Sequence, residues 1–191
     1  CVSRLAIDCN RPLDAPDLVA AMSETTEVPG NRGLDAAERE RRVALSHRPY
    51  HELIDAVVAE RLLAGHAPML VSVHSFTPVY KGATRPWQIG ILHDEDERLS
   101  RPMIEALGRV AGITVGDNQP YSPADRVYYT LARHGRARGL PCAMIELRND
   151  EIAEAAGQRR WADRLAAILG EIEVAGVAGA AAASTGGVRH A

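Results

Sequence analysis

Short apolar runs rich in β-branched residues alternate along this chain with stretches whose apolar positions recur every three or four residues. Val2, Leu5 and Ile7 predict a first strand, ended by the polar turn of Asp8, Asn10, Arg11 and Pro12. Residues 12–34 have no period and are rich in turn formers, which predicts a long loop, and such a loop in a compact domain more often serves function than connection. From Asp35 the pattern turns helical until Pro49 interrupts it. A second helix follows, with Leu53, Ile54, Val57, Val58, Leu62 and Leu63 as its apolar stripe and Gly65 as its C-terminal cap. MLVSVHSFTP predicts a strand stopped by Pro78, residues 79–86 a loop, and WQIGIL (87–92) another strand. Residues 95–111 place Leu99, Met103, Ile104, Leu107 and Val110 on one helical face. Ile113–Val115 predicts a short strand, residues 124–138 a helix, CAMIELR a strand, and residues 150–174 a final helix around Trp161, Leu165, Ile168 and Leu169.

Strands of nearly continuous apolar character between helices predict an α/β protein, a three-layer α/β/α sandwich on a mostly parallel, mixed sheet. One domain is expected over residues 1–175. The small-residue segment 176–191 is expected to be a disordered tail, because it has little apolar surface to offset the entropy of ordering. In such folds ligands gather at the carboxyl ends of strands. That rule directs attention to Asp8–Arg11, His74–Thr77 and Glu146–Arg148.

Composition narrows the partners. The chain has 191 residues, 46% of them hydrophobic and 25% charged, with a formal charge of −3. A near-neutral balance removes the electrostatic case for nucleic acid or an anionic membrane, and RVYYTLARHGRAR is expected to be a solvated helix face. No apolar run approaches the roughly 18–20 residues that span a bilayer, so no membrane partner is expected. Cys1, Cys9 and Cys142 have no pairing spacing, which predicts neither a disulfide framework nor a cysteine metal site and points to a cytoplasmic location. The chain opens at Cys1 without signal-peptide features, and we expect residues to precede it. Oligomeric state has no signal in the sequence.

Several residues could carry chemistry. His74 closes the strand LVSVH, where an imidazole can ligate a metal or simply hydrogen-bond at a strand end. Glu146 shares a face with Met144 and Arg148: desolvation would raise its pKa toward that of a general base, whereas pairing with Arg148 on an edge strand would lower it. Arg4, Asp8, Asn10 and Arg11 form a polar cluster that can grip an anion or close an internal salt bridge. The NQPY turn with Tyr121, and Thr84–Arg85 with Trp87, have ordinary loop composition. His51 reads as a surface or packing residue. No HExxH motif occurs, and a catalytic zinc takes about three protein ligands, so local spacing alone does not assemble one.

The motifs SRLAIDCNRP (3–12), VPGN (28–31), PYHELI (49–54), VSVHSFTPVYKGATRPWQIGIL (71–92), DNQPYS (117–122), YTLARHGRARGLP (129–141) and IELRND (145–150) together resemble the N-formylglutamate amidohydrolase family. The resemblance covers roughly residues 1 to 170. That family is similar to the aspartoacylase and zinc-carboxypeptidase group, with a phosphorylase/hydrolase-like fold. The resemblance implies a zinc-dependent hydrolase of amino-acid catabolism, acting on a small anionic N-acyl amino acid and converting N-formylglutamate to glutamate and formate. It makes His74 the metal-ligating histidine and Glu146 the carboxylate that activates the zinc-bound water. Asn10 and Arg11 then hold the substrate carboxylate, Arg4 stabilises the oxyanion, and Arg85, Tyr121 and Arg148 contact substrate. It also places further Zn2+ ligands upstream of Cys1, so that this chain alone is expected to bind zinc poorly and to lack part of its sheet. An amidohydrolase or peptidase acting on another N-acyl amino acid is one alternative. A metal-free, non-catalytic binding protein of the same fold is another.

Overall fold

The computed structural model describes residues 2–185, with side chains described through Gly176. The strands are β1 (Met22–Ser23), β2 (Thr26–Glu27), β3 (Leu70–Phe76), β4 (Val79–Tyr80), β5 (Ala83–Thr84), β6 (Ile89–Leu92), β7 (Val115–Asp117) and β8 (Cys142–Arg148). The helices are α1 (Ala36–Arg42), α2 (Arg48–Leu63), α3 (Ser100–Gly108), α4 (Tyr129–His134) and α5 (Ala155–Thr185).

The main sheet runs in the order β3-β8-β6-β7. β3 is parallel to β8 and β6 to β7, while β6 and β8 are antiparallel, so the sheet is mixed and mostly parallel. One face packs Ile89, Ile91, Ala143, Ile145 and Leu147 against Leu99, which precedes α3, Met103 and Leu107 within it, and Trp161, Leu165 and Ile168 of α5. Each such fully buried aliphatic side chain contributes about 1.5–3 kcal/mol. The other face packs Leu92, Cys142 and Met144 against Tyr128 and Leu131 beside α4. Helices on both faces give the α/β/α layering that the alternating pattern predicts.

Several expectations change. Residues 2–7 form a turn rather than a strand, with the Ala6 N–H donating to the Ser3 carbonyl. No described strand lies beside them, and their carbonyls are taken instead by side chains, Leu5 by Asn31 and Ala6 by Arg42. Pro49 does not interrupt the helix: α1 passes through a π turn, Val43–His47, and Pro49 falls in the first turn of α2, where no backbone N–H is needed. Most of the apolar stripe of α2 faces outward, Leu63 being 89% and Leu53 65% exposed; of the stripe Val58 is buried and Ile54 half-buried, and His51 is buried with them. Residues 124–138 are broken into a turn at Pro123–Asp125, α4, and a turn at Arg136–Arg138. The segment expected to be a tail, residues 176–191, continues α5 as far as Thr185, and the rest of it lies outside the described residues. Gly65 takes its capping role with φ +79°.

Candidate active site

Register brings the two leading candidates together. β3 and β8 pair so that His74 stands opposite Glu146, on one face of adjacent strands whose backbones lie about 4.8 Å apart. β8 is a central strand, which corrects the edge position the sequence allowed. That position explains why Glu146 is 5% exposed and why its Oε2 has no hydrogen-bond partner among the described residues. Burial pushes its pKa up to about 7, against the opposing charges of Arg4 and Arg85. His74 is half-buried at the sheet edge, and burial lowers its pKa, with Arg4 and Arg11 adding to the effect and Asp8 opposing it. Near neutrality the site therefore offers a neutral imidazole beside a carboxyl group poised to exchange a proton.

Across β8 from His74, the neighbour of Glu146 is Gly90, and beyond it Gly116. Two missing side chains leave room for the Gln119 carbonyl: a Cβ at Gly90 would lie 1.9 Å from that oxygen, and one at Gly116 2.7 Å. The turn 118–121 thus rests on the sheet beside Glu146, with the Asn118 N–H on the Ile91 carbonyl at 3.0 Å. It carries Tyr121, whose hydroxyl accepts from Arg85 at 3.1 Å. The Arg85 guanidinium lies 4.5 Å from the Tyr80 ring centre, 4.9 Å from that of Tyr121 and 5.8 Å from that of Phe76. Among the described residues it has no carboxylate partner, so an aromatic cage holds a cation ready for an anionic ligand.

The other expected anion binders are already engaged. Asn10 donates its amide to the Val127 carbonyl and accepts from the Thr130 N–H at 2.9 Å, so it fastens the start of α4. Arg11 is buried and pairs with Asp17 at 2.8 Å and Asp8 at 3.7 Å. Arg4 binds Asp8 at 2.9 Å with a side chain 74% exposed. This is the internal salt bridge that the sequence left open. Arg148 turns away from Glu146 to Asp150 and to the carbonyls of Arg85, Pro86 and Trp87, anchoring the segment that presents Arg85.

The model of the family described as N-formylglutamate amidohydrolase matches residues 1–153. The chain belongs to the N-formylglutamate amidohydrolase family. Its fold is similar to the crystal structure of gene product Atu2144 from Agrobacterium tumefaciens, with 42% identity and a TM-score of 0.86 over 90% of this chain and 68% of that one. It is also similar to N-formylglutamate amidohydrolase from Ralstonia eutropha JMP134, with 22% identity and a TM-score of 0.51 over 78% of this chain and 62% of that one, a likeness of fold. No curated protein matches. None of the described helices is long and apolar enough to cross a membrane.

Within this amidohydrolase fold, no group of three His, Cys, Asp or Glu side chains among the described residues stands where it could hold a metal ion. His74 offers an imidazole with no hydrogen-bond partner among the described residues, but one imidazole falls short of a zinc site. An apolar groove of about 420 Å³, lined by Val2, Leu5, Ile7, Val28 and Leu45, is bordered by none of the expected site residues. What the sequence reading missed is a buried histidine cluster. His47, His51 and His134 are 2%, 1% and 0% exposed. The spacing of His47 and His51, four apart on one helical face, was the available signal.

Proposed function

We propose that this amidohydrolase-family chain carries the acid–base half of a site that hydrolyses the amide of an N-formyl amino acid, N-formylglutamate first, releasing the amino acid and formate. The observation that carries the reading is Glu146: a buried carboxyl group with one oxygen unpartnered and a pKa near neutrality, in register with His74. As a base Glu146 takes a proton from water while the water oxygen attacks the formyl carbon. The tetrahedral carbon then expels nitrogen, which leaves as the amine after accepting that proton from Glu146. Arg4, whose charge reaches both Glu146 and His74 and whose exposed guanidinium meets Asp8 through Nη2 alone among the described residues, is the cation assigned to the developing oxyanion; one well-placed donor is worth about 3 kcal/mol. Arg85 and Tyr121 are assigned to a substrate carboxylate, in preference to Asn10, Arg11 and Arg148, whose polar atoms have partners within the protein.

Zinc is the cofactor we propose, with His74 as its ligand from this chain. The described donors do not complete a zinc site, so no step above is routed through the metal. The test is hydrolysis of N-formylglutamate, N-formylaspartate and N-acetylglutamate by the metal-supplemented protein and by Glu146→Gln. The expected result is preference for N-formylglutamate and a fall in kcat of about 10² or more in Glu146→Gln with KM little changed. Preference for another N-acyl amino acid transfers the reading to that substrate. Binding without turnover identifies a non-catalytic relative, and unchanged kcat in Glu146→Gln removes Glu146 from its role.

A further inference from the structure

Outside the crevice, four buried or half-buried groups form one continuous hydrogen-bonded chain. His51 Nε2 lies 2.9 Å from the Cys9 carbonyl oxygen, His51 Nδ1 lies 2.7 Å from His134 Nε2, and His134 Nδ1 lies 2.9 Å from Asp55 Oδ1. The two imidazoles stack at 20° with centres 5.0 Å apart. Both ends of the chain only accept. One is a backbone carbonyl, and the other is a carboxylate that also accepts from Arg138. Burial works to raise the Asp55 pKa, but Arg138 and His134 outweigh it and keep the group below its ordinary value, hence ionised.

Three contacts between acceptor-only ends require three hydrogens, and two neutral imidazoles carry two. With only two, lone pairs face each other across one junction at under 3 Å, whichever tautomers are chosen. We propose that His51 and His134 share one extra proton, held between the Cys9 carbonyl and the Asp55 carboxylate, and that this buried cation positions the Cys9–Arg11 segment at the flank of the catalytic crevice. The positioning half rests on the hydrolase reading; the proton count does not.

The surroundings decide where the proton sits. Burial pulls His51 down to about 4, with His47 and Arg133 adding to the effect. Burial also lowers His134, where the Asp55 carboxylate opposes it while Arg133 and Arg138 assist. The proton therefore resides on His134, next to the carboxylate, and His51 is the neutral acceptor that donates onward to Cys9. The ring–ring hydrogen bond opposes the loss of this proton, because its departure sets acceptor against acceptor. Tyr50 and Tyr129 close over His51 edge-on, 5.0 Å and 5.3 Å between ring centres. His47, whose ring centre lies 4.4 Å from that of His51, makes one side-chain hydrogen bond among the described residues, to the Arg11 carbonyl at 2.9 Å, which one hydrogen satisfies.

The consequence for the site is geometric. His51 holds the carbonyl of residue 9, α4 holds the side chain of residue 10, and His47 holds the carbonyl of residue 11. Three consecutive residues are thus fastened from the α2–α4 side, and the preceding Asp8 is carried with them to the position from which its charge reaches His74. His51, His134 and Asp55 are positioning residues in this scheme. Here the cost of setting acceptor against acceptor outweighs the burial that lowers both rings, so that the pair titrates above the ordinary imidazole value. Its contribution to stability is then complete at low pH and is lost as pH rises through the pair's own titration.

The test is nitrogen-15 NMR of the histidine rings in the full chain, at about pH 6 to about 8, without substrate. The expected result near neutrality is three ring hydrogens on the pair, the one between the rings exchanging slowly with solvent; one hydrogen on each ring throughout overturns the proposal. Because no turnover is involved, this outcome is separate from success or failure of the hydrolase assay. His134→Gln supplies the second arm, since a primary amide brings two hydrogens and meets all three contacts without charge. It is expected to fold and, in a Glu146→Gln background that removes the carboxylate's own pH dependence, to abolish the remaining fall in melting temperature with rising pH; with Glu146 present it is expected to flatten the pH dependence of KM while the Glu146 step in kcat remains. Retention of that fall in the Glu146→Gln/His134→Gln protein also overturns the proposal.

Discussion

Gly90→Ala is the sharpest probe of how the crevice is built. The new Cβ would lie 1.9 Å from the Gln119 carbonyl oxygen and 3.0 Å from its carbon, where an ordinary contact needs about 3.5 Å. One side must retreat by about 1.5 Å. Gly90 cannot, because its strand is hydrogen-bonded on both sides, to β8 and to β7. The turn 118–121 moves instead, and two bonds go with it: Asn118 N–H to the Ile91 carbonyl at 3.0 Å, and His93 N–H to Asn118 Oδ1 at 3.0 Å. Two lost bonds at about 1 kcal/mol each, with overpacking of about 1–3 kcal/mol, predict a destabilisation of about 4 kcal/mol. That is a large part of the 5–15 kcal/mol by which domains of this kind are ordinarily stable. Equilibrium urea unfolding at constant pH measures it. Gly170→Ala is the control: a Cβ there meets no atom within 4 Å in the middle of α5, so a gain of up to about 1 kcal/mol is expected. A Gly90→Ala protein within about 0.5 kcal/mol of the wild type would refute the packing argument. So would one that keeps its KM despite the loss, because Tyr121 travels with the turn.

Four other outcomes are expected. Glu146, raised from 4.5 to about 7 by burial, disfavours the folded state as it ionises; metal-free wild type should lose about 3 kcal/mol relative to Glu146→Gln as pH rises from about 4.5 past about 7, and a pH-independent difference would refute this. Over the same span kcat should rise toward a plateau, since the base works only when ionised. Arg85→Lys loses the planar fork and the ring stacking, so KM for N-formylglutamate should rise about tenfold with kcat retained; an unchanged KM removes Arg85 from carboxylate binding. Asn10→Ala should lower stability by about 1–3 kcal/mol through loosening of α4, as read by thermal unfolding, whereas a large change in KM at full stability would return Asn10 to substrate binding.

Much of this was legible in one dimension. The strands at 70–76, 89–92 and 142–148 lie where apolar β-branched runs end at turn residues, and Asp35 caps α1 by accepting from the Glu38 N–H at 2.7 Å. Where the pattern misled, a distant partner was responsible. Alternation at Val2–Ile7 did not make a strand where no described strand lies beside it, and most of the α2 stripe stayed exposed because the helix turned His51 inward. Whether Arg11 and Arg148 would be free or paired stayed open, because a sequence does not say which carboxylate or carbonyl each will meet.

By itself the sequence determined the order of the main-sheet strands and the long helices, the family, and which side chains have the chemistry to act, because periodicity, capping and motif spacing are local properties of the chain. Only the tertiary structure decided that position 74 stands opposite position 146, that two glycines make room for a turn beside them, and that histidines 83 residues apart share a junction. Those facts depend on strand register and on competition among hydrogen-bond partners far apart in the chain. A slip of one residue in register would turn Glu146 to the opposite face while leaving every local pattern as it is.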